Sequence, residues 1–166
     1  GSVRTVLELA GIKQLEACRE VFVVKDVISY VDDDSGSEIT IIPSNEYQIT
    51  TMVDFGTKIL GTQNATLQHL SHFKNDISDS RTFSFLHELE SLLEQGLIKG
   101  GDLNNAIVYV DKPISNETME RLKKAFNKEA ISVTSNGILD NLTLHHPNEA
   151  ARHKLLDVIG DLSLAG

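Results

Sequence analysis

The stretch Arg81-Thr82-Phe83-Ser84-Phe85-Leu86-His87-Glu88-Leu89-Glu90-Ser91-Leu92-Leu93-Glu94-Gln95-Gly96 decides the fold class, because it reads as a strand running directly into a helix. Arg81 to Phe85 is the strand; Leu86, Leu89, Leu92 and Leu93 recur at helical spacing, and Gly96 ends the helix. Downstream, Asn105 to Val110 reads as a second strand. Glu117 to Asn127 reads as a charged amphipathic helix with Ser115 or Asn116 as its cap. Upstream, Val6, Leu7, Leu9 and Ala10 suggest a short helix stopped at Gly11. Val21 to Val24, Val27 to Val31, Ile39 to Ile42 and Tyr47 to Val53 are β-branched segments. Asp32-Asp33-Asp34-Ser35-Gly36 and Pro43-Ser44-Asn45 carry turn chemistry between them, which predicts an antiparallel meander. Ser71 is expected to cap a helix through Ile77, and the last helix begins after Asn148. Strands and helices mix without regular βαβ repetition. The expected architecture is α+β, a two-layer sandwich of a mostly antiparallel sheet against helices. Lys128 to Pro147 is longer and more polar than a tight connection needs and has the look of an insertion.

The chain has 166 residues, 40% hydrophobic and 23% charged, enough to bury the core of one ordinary domain. Its net charge of -9 argues against nucleic acid as a partner, since no basic cluster is present to neutralise phosphates. An anionic nucleotide would need locally placed cations. Cys18 is the single cysteine, so no disulfide can form within the chain; it reads as a small buried residue, in keeping with a reducing compartment. No apolar run approaches the roughly 20 residues of a membrane span, and no signal peptide opens the sequence, so a soluble, cytoplasmic protein without a transmembrane segment is expected. Gly1-Ser2 has the look of a tag-cleavage scar and is set aside, leaving residues 3–166 as the domain.

The residues with the most chemistry lie in His153-Lys154-Leu155-Leu156-Asp157-Val158-Ile159-Gly160-Asp161-Leu162. At about 100° per residue, His153, Lys154, Asp157 and Asp161 gather on one helix face, opposite Ala151, Leu155, Val158, Ile159 and Leu162. An imidazole and a carboxylate four residues apart can both reach one metal ion. They can equally be an exposed pair contributing a few tenths of a kcal/mol. The Asp32 triplet lacks the Asp-x-Asp-x-Asp-Gly order and terminal Glu of a calcium loop and reads as a solvated turn. His69 and His72 read as surface or partner-facing residues, His145-His146 as solvated loop, and His87 has no evident role.

Three blocks carry a longer match: Ser80-Arg81-Thr82-Phe83-Ser84-Phe85, Gly96-Leu97-Ile98-Lys99-Gly100-Gly101-Asp102-Leu103-Asn104-Asn105-Ala106-Ile107-Val108, and Arg152 to Leu162. Together with Ala10-Gly11-Ile12 and Val53-Asp54-Phe55, and in this order, they resemble the zinc-dependent UDP-3-O-acyl-N-acetylglucosamine deacetylases of lipid A synthesis. The resemblance implies that the chain is the second, C-terminal domain of such an enzyme. The first domain would be absent, and the chain would stop before the second one ends.

It further implies Zn2+ held by His153 and Asp157, with a third ligand and the glutamate general base in the missing N-terminal domain. Such zinc sites keep a position open for water and lower its pKa. Thr82 matches a hydroxyl that donates to the tetrahedral oxyanion. Asp161 matches a carboxylate that pairs with a catalytic histidine beyond Gly166. Lys154 would contact the sugar-phosphate side of the UDP-acyl-glucosamine substrate, and Phe55 would stack on uracil. Phe83, Phe85, Leu86, Leu89, Leu97, Ala106 and Val108 sit where the family folds a β-α-β insert into a passage for the acyl chain; without the resemblance they would read as core. Ser84 stands where a glycine is usual, and Asp102 where a serine is common.

Two functions follow. One is a fragment of an amidohydrolase that removes the N-acetyl group, inactive by itself and weak in zinc. Its polar insertion resembles the bifunctional enzymes fused to a 3-hydroxyacyl-carrier-protein dehydratase. The alternative is a noncatalytic interaction domain docking through its last helix. In either case an apolar face left by the missing half favours self-association.

Overall fold

The computed structural model describes residues 3–18, 20–95, 103–140 and 142–165. Leu97 and Asp102 lie outside the described residues. The chain divides into two compact units, one of residues up to Pro43 with the last residues from Leu164, the other of Ser44–Ser163.

In the first unit, α1 (Val3–Ala10) ends at Gly11, whose N–H bonds Leu7 O and whose φ of +85° suits a residue without Cβ. β1 (Ile28–Val31) and β2 (Glu38–Ile41) pair antiparallel, Ile28 opposite Ile41 and Val31 opposite Glu38. Their connection is closed by Asp32, whose carboxylate accepts from Asp34 N–H and the Ser35 hydroxyl. Cys18, expected to be buried, is exposed. Val21 to Val24 is irregular and forms no strand. β-branched residues favour a strand only where a neighbour pairs with them.

The second unit holds every candidate site residue. β3 (Ile49–Val53) and β4 (Gln63–Leu67) form an antiparallel hairpin, with Ile49 opposite Leu67. A 3-10 turn (Leu70–His72) and the short α2 (Phe73–Asp76) follow, without a side-chain cap from Ser71. β5 (Thr82–Phe85), α3 (Leu86–Glu94) and β6 (Ala106–Tyr109) make a β-α-β unit whose strands are parallel, Thr82 opposite Ala106. Glu88 starts α3 by accepting the Phe85 N–H at 2.9 Å. Ser115 caps α4 (Asn116–Ala125) by accepting Thr118 N–H.

The class is therefore α+β, built among the described residues from three two-stranded ladders, two antiparallel and one parallel. Residues 128–147, taken from sequence as a polar insertion, contribute to the core. Their Gly137–Leu139 segment bonds along β6, Leu139 N–H to Val108 O and Val110 N–H to Gly137 O. Ile131, Ile138 and Leu139 are buried there.

The last helix, α5 (Glu149–Leu162), lies across the β3–β4 hairpin. Ala151 and Leu155 pack with Ala65, Leu67 and Ile77, flanked by Leu156 and Ile159. Thr51 Oγ1 donates to Ala151 O at 3.0 Å. With one face so fixed, rotation by about 100° per residue sets which side chains α5 turns toward β5.

Candidate functional site

His153, Lys154 and Asp157 stand together on α5, as helical spacing predicts. His153 Nε2 lies 3.6 Å from Asp157 Oδ1, and Lys154 Nζ lies 3.1 Å from Asp157 Oδ2. His153 Nδ1 meets Ser80 O at 3.3 Å. A carbonyl only accepts, so Nδ1 is the donor in that contact, and Nε2 is the ring nitrogen turned toward the carboxylate. With Nδ1 protonated, a neutral imidazole would offer the Nε2 lone pair on the side where the carboxylate stands.

That arrangement fits a cation. Two ligands about 2.0–2.1 Å from one tetrahedral zinc stand roughly 3.3 Å apart, and a ligating histidine usually donates its other N–H to a carbonyl or carboxylate. The fit is partial: among the described residues no group of three or more His, Cys, Asp or Glu is placed to hold a metal. Asp161, one turn beyond Asp157, is exposed, and its carboxylate pairs with none of the described residues.

β5 and β6 divide the aromatic and aliphatic candidates between two faces, since neighbouring strand residues point oppositely. Phe83 and Phe85 share a face with their register partners Ile107 and Tyr109. The Phe83 ring approaches that of His153 edge-on at 6.3 Å, and Lys154 Nζ sits 5.8 Å from its centroid. Phe55, at the β3–β4 connection, packs edge-on against Phe83 at 5.3 Å and Phe85 at 5.6 Å. Asp54 holds that connection by accepting the Thr62 hydroxyl at 2.7 Å and Gly56 N–H at 2.8 Å, and these bonds, the Thr62 hydroxyl foremost, lower its carboxyl below the usual range.

Thr82, Ala106 and Val108 lie on the opposite face. Thr82 is exposed and Ala106 half-buried, whereas Val108 is 3% exposed and packs with Leu86 and Leu89 in the core under α3. Leu89, at 8%, belongs to the same core, and Phe85, at 5%, to the cluster on the other face. The residues assigned to an acyl passage are thereby split: Phe83 and Ala106 are partly open, while Phe85, Leu89 and Val108 are packed.

Several contributors escaped the sequence reading. Glu149 is fully buried at the first turn of α5. Its Oε1 accepts from Arg81 N–H at 2.9 Å and Arg81 Nε at 2.8 Å; its Oε2 accepts from Arg81 Nη2 at 3.0 Å and His145 N–H at 2.7 Å. Burial pushes this carboxyl up, but the Arg81 side chain, then the Arg81 and His145 N–H groups and the guanidinium charge, outweigh it and bring it down to about 2. His145 and His146 are not free loop residues: His145 Nδ1 bonds Asp79 O at 2.8 Å and His146 Nε2 bonds Asp79 Oδ1 at 2.9 Å. His87 stacks on Phe85 and bonds Asp111 Oδ2 at 2.8 Å. Burial first, then the Glu149 charge, pushes the Tyr109 hydroxyl up to about 12.

Comparison with known proteins bears on the family of the chain. The family model described as LpxC, UDP-3-O-acyl N-acetylglycosamine deacetylase, matches residues 3–128 and 118–166. A bifunctional enzyme LpxC/FabZ of Bacteroides thetaiotaomicron is 38% identical over 160 residues, covering 96% of this chain and 35% of that protein. Its counterpart in Porphyromonas gingivalis is also 38% identical over 160 residues, with the same coverage. A UDP-3-O-acyl-N-acetylglucosamine deacetylase of Myxococcus xanthus is 33% identical over 162 residues, covering 97% of this chain and 43% of that protein. The chain thus spans 35% of the bifunctional relatives and less than half of the Myxococcus enzyme. On the family match over nearly its whole length, the chain belongs to the LpxC family of UDP-3-O-acyl N-acetylglycosamine deacetylases.

Proposed function

We propose that this chain supplies half of the active site of a zinc-dependent, cytoplasmic deacetylase that removes the N-acetyl group from UDP-3-O-(3-hydroxyacyl)-N-acetylglucosamine in lipid A synthesis. The observation that carries the reading is His153 Nε2 facing Asp157 Oδ1 at 3.6 Å, with Nδ1 against the Ser80 carbonyl at 3.3 Å. Zinc held there would polarise the amide and make water acidic enough to attack near neutral pH.

The remaining work falls to the chain's own side chains. Thr82, exposed at the start of β5, offers a hydroxyl to the oxyanion that forms when water adds to the acetyl carbon. Lys154, tied to Asp157 and lying over Phe83, brings a cation to the sugar-phosphate side. Phe55 presents a partly open ring for the uracil. Asp161 is free to orient a histidine supplied from outside the described residues. The acyl chain runs past Ala106 on the Thr82 face of β5 and β6, with the packed Leu89 and Val108 as the wall behind it, while Phe83 and Phe85 stand on the opposite face with Lys154 and Phe55. Each buried CH2 of that chain contributes roughly 0.8 kcal/mol.

Two protein donors leave half of a tetrahedral shell to water, so the chain alone binds zinc weakly and turns over no substrate. The N-terminal part of the parent protein completes the shell. A docking role for α5 would need a free apolar face, whereas Ala151 and Leu155 are buried against the β3–β4 hairpin. The test is metal content and turnover in the intact parent protein. His153→Ala or Asp157→Ala removes both; either variant retaining full zinc and activity would refute the assignment.

A further inference from the structure

We propose that the buried Arg81–Glu149 pair is a positioning device for His153: it locks the Ser80–Arg81 peptide against α5 so that the Ser80 carbonyl fixes the imidazole with Nδ1 protonated and Nε2 open to a metal. The inference rests on the reading of His153 as a zinc ligand. The Ser80–Arg81 peptide is a rigid plane, its N–H and C=O pointing in opposite directions. Here the N–H goes to Glu149 Oε1 at 2.9 Å, and the C=O meets His153 Nδ1 at 3.3 Å. Glu149 and His153 are one helical turn apart, about 6 Å along the axis. One peptide unit therefore spans the two positions, and it cannot turn without losing both bonds.

The same short segment is held on its other side. Asp79 is bonded through its carbonyl to His145 and through its carboxylate to His146. Glu149 also takes the Arg81 guanidinium through both oxygens, and Arg81 Nη2 reaches Thr143 O at 2.9 Å. A carboxylate with 0% exposure is an expensive way to begin a helix. The cap position is the preceding residue, Asn148, where a neutral Asn or Ser can serve a helix end without burying a charge, so capping does not account for Glu149. What Glu149 adds is a bidentate grip on Arg81 together with its N–H, which fixes the direction of the Ser80 carbonyl.

The experiment uses the intact parent protein, with zinc affinity measured by chelator competition beside melting temperature. Glu149→Gln is expected to weaken zinc about tenfold or more, in the range seen when groups supporting a ligand are removed. Leu67→Ala, which loosens the packing of α5 without touching Arg81 or His153, serves as the comparison and should change zinc affinity less than about threefold at a similar melting loss. Equal loss of affinity in the two variants, or none in Glu149→Gln, overturns the proposal. Should Glu149→Gln fail to fold, Arg81→Lys, which keeps charge and the main-chain N–H, is expected to lose affinity by a smaller factor. The nitrogen spectrum of His153 in the metal-free wild-type protein gives an independent reading: an Nδ1–H tautomer is expected, and an Nε2–H tautomer overturns the proposal. If His153→Ala leaves zinc affinity unchanged, the ligand assignment itself fails, whatever Glu149→Gln does.

Discussion

His153 Nε2 and Asp157 Oδ1 face each other across 3.6 Å of α5, while the other imidazole nitrogen is committed to the Ser80 carbonyl. Lys154 bonds the second oxygen of the same carboxylate at 3.1 Å. On the proposed function, metal binding and substrate contact fall to neighbouring but different atoms. In the intact parent, His153→Ala and Asp157→Ala are expected to lose zinc and activity together. Lys154→Ala keeps zinc and lowers kcat/KM. Metal analysis beside kinetics checks this; loss of zinc in Lys154→Ala equal to that in His153→Ala contradicts it.

The Glu149 carboxyl stands at about 2 in the folded protein against an ordinary value of 4.5. Its folded pKa is depressed, so its contribution is complete above the unfolded value and declines as pH falls from about 4.5 through about 2. The size is a few kcal/mol, at roughly 1.4 kcal/mol per pKa unit. Glu149→Gln should be less stable than wild type at neutral pH, by about 3–5 kcal/mol for breaking a buried pair, with the difference narrowing in acid. Denaturant unfolding across that pH range measures it, and a difference constant with pH would show that Glu149 does not carry the dependence.

Asp54 closes the β3–β4 connection from both oxygens, and Phe55 is the next residue along. Gly56, at φ +64°, accepts the bend that this bonding requires. Asp54→Ala should release Phe55 from Phe83 and raise KM for the UDP-linked substrate severalfold with little change in kcat. Stability should change little, because the lost bonds are exposed. An unchanged KM would mean that Phe55 holds its place by ring packing alone.

How much of this was legible in the sequence varied by element. α3, α4 and α5 carry periodic leucines or a cap, and their observed limits follow from those signals. β4 was missed because Gln63-Asn64-Ala65-Thr66-Leu67 shows only two inward apolar residues, Ala65 and Leu67, too weak an alternation without the partner strand. Helical phase was enough to bring His153, Lys154 and Asp157 together. It could not reveal Glu149: an acid in the first turn is ordinary dipole complement, and its partner Arg81 lies 68 residues away. Val108 and Leu89 looked like passage residues by resemblance, and only packing shows them inside a closed cluster.

That packing makes the apolar candidates separable. Leu89 is 8% exposed in the core under α3, so Leu89→Ala should cost about 2–5 kcal/mol, whatever the substrate. Ala106 is only half-buried, opposite the exposed Thr82. If the acyl chain runs past it, Ala106→Leu in the intact enzyme should raise KM for long-acyl substrates far more than for short ones, with the melting temperature nearly unchanged. Were Ala106 a core position, the added volume would instead overpack it at a cost of about 1–3 kcal/mol. Melting and two-substrate kinetics on the one variant decide between these outcomes: a large melting loss with equal impairment on both substrates places Ala106 in the core and removes it from the acyl path.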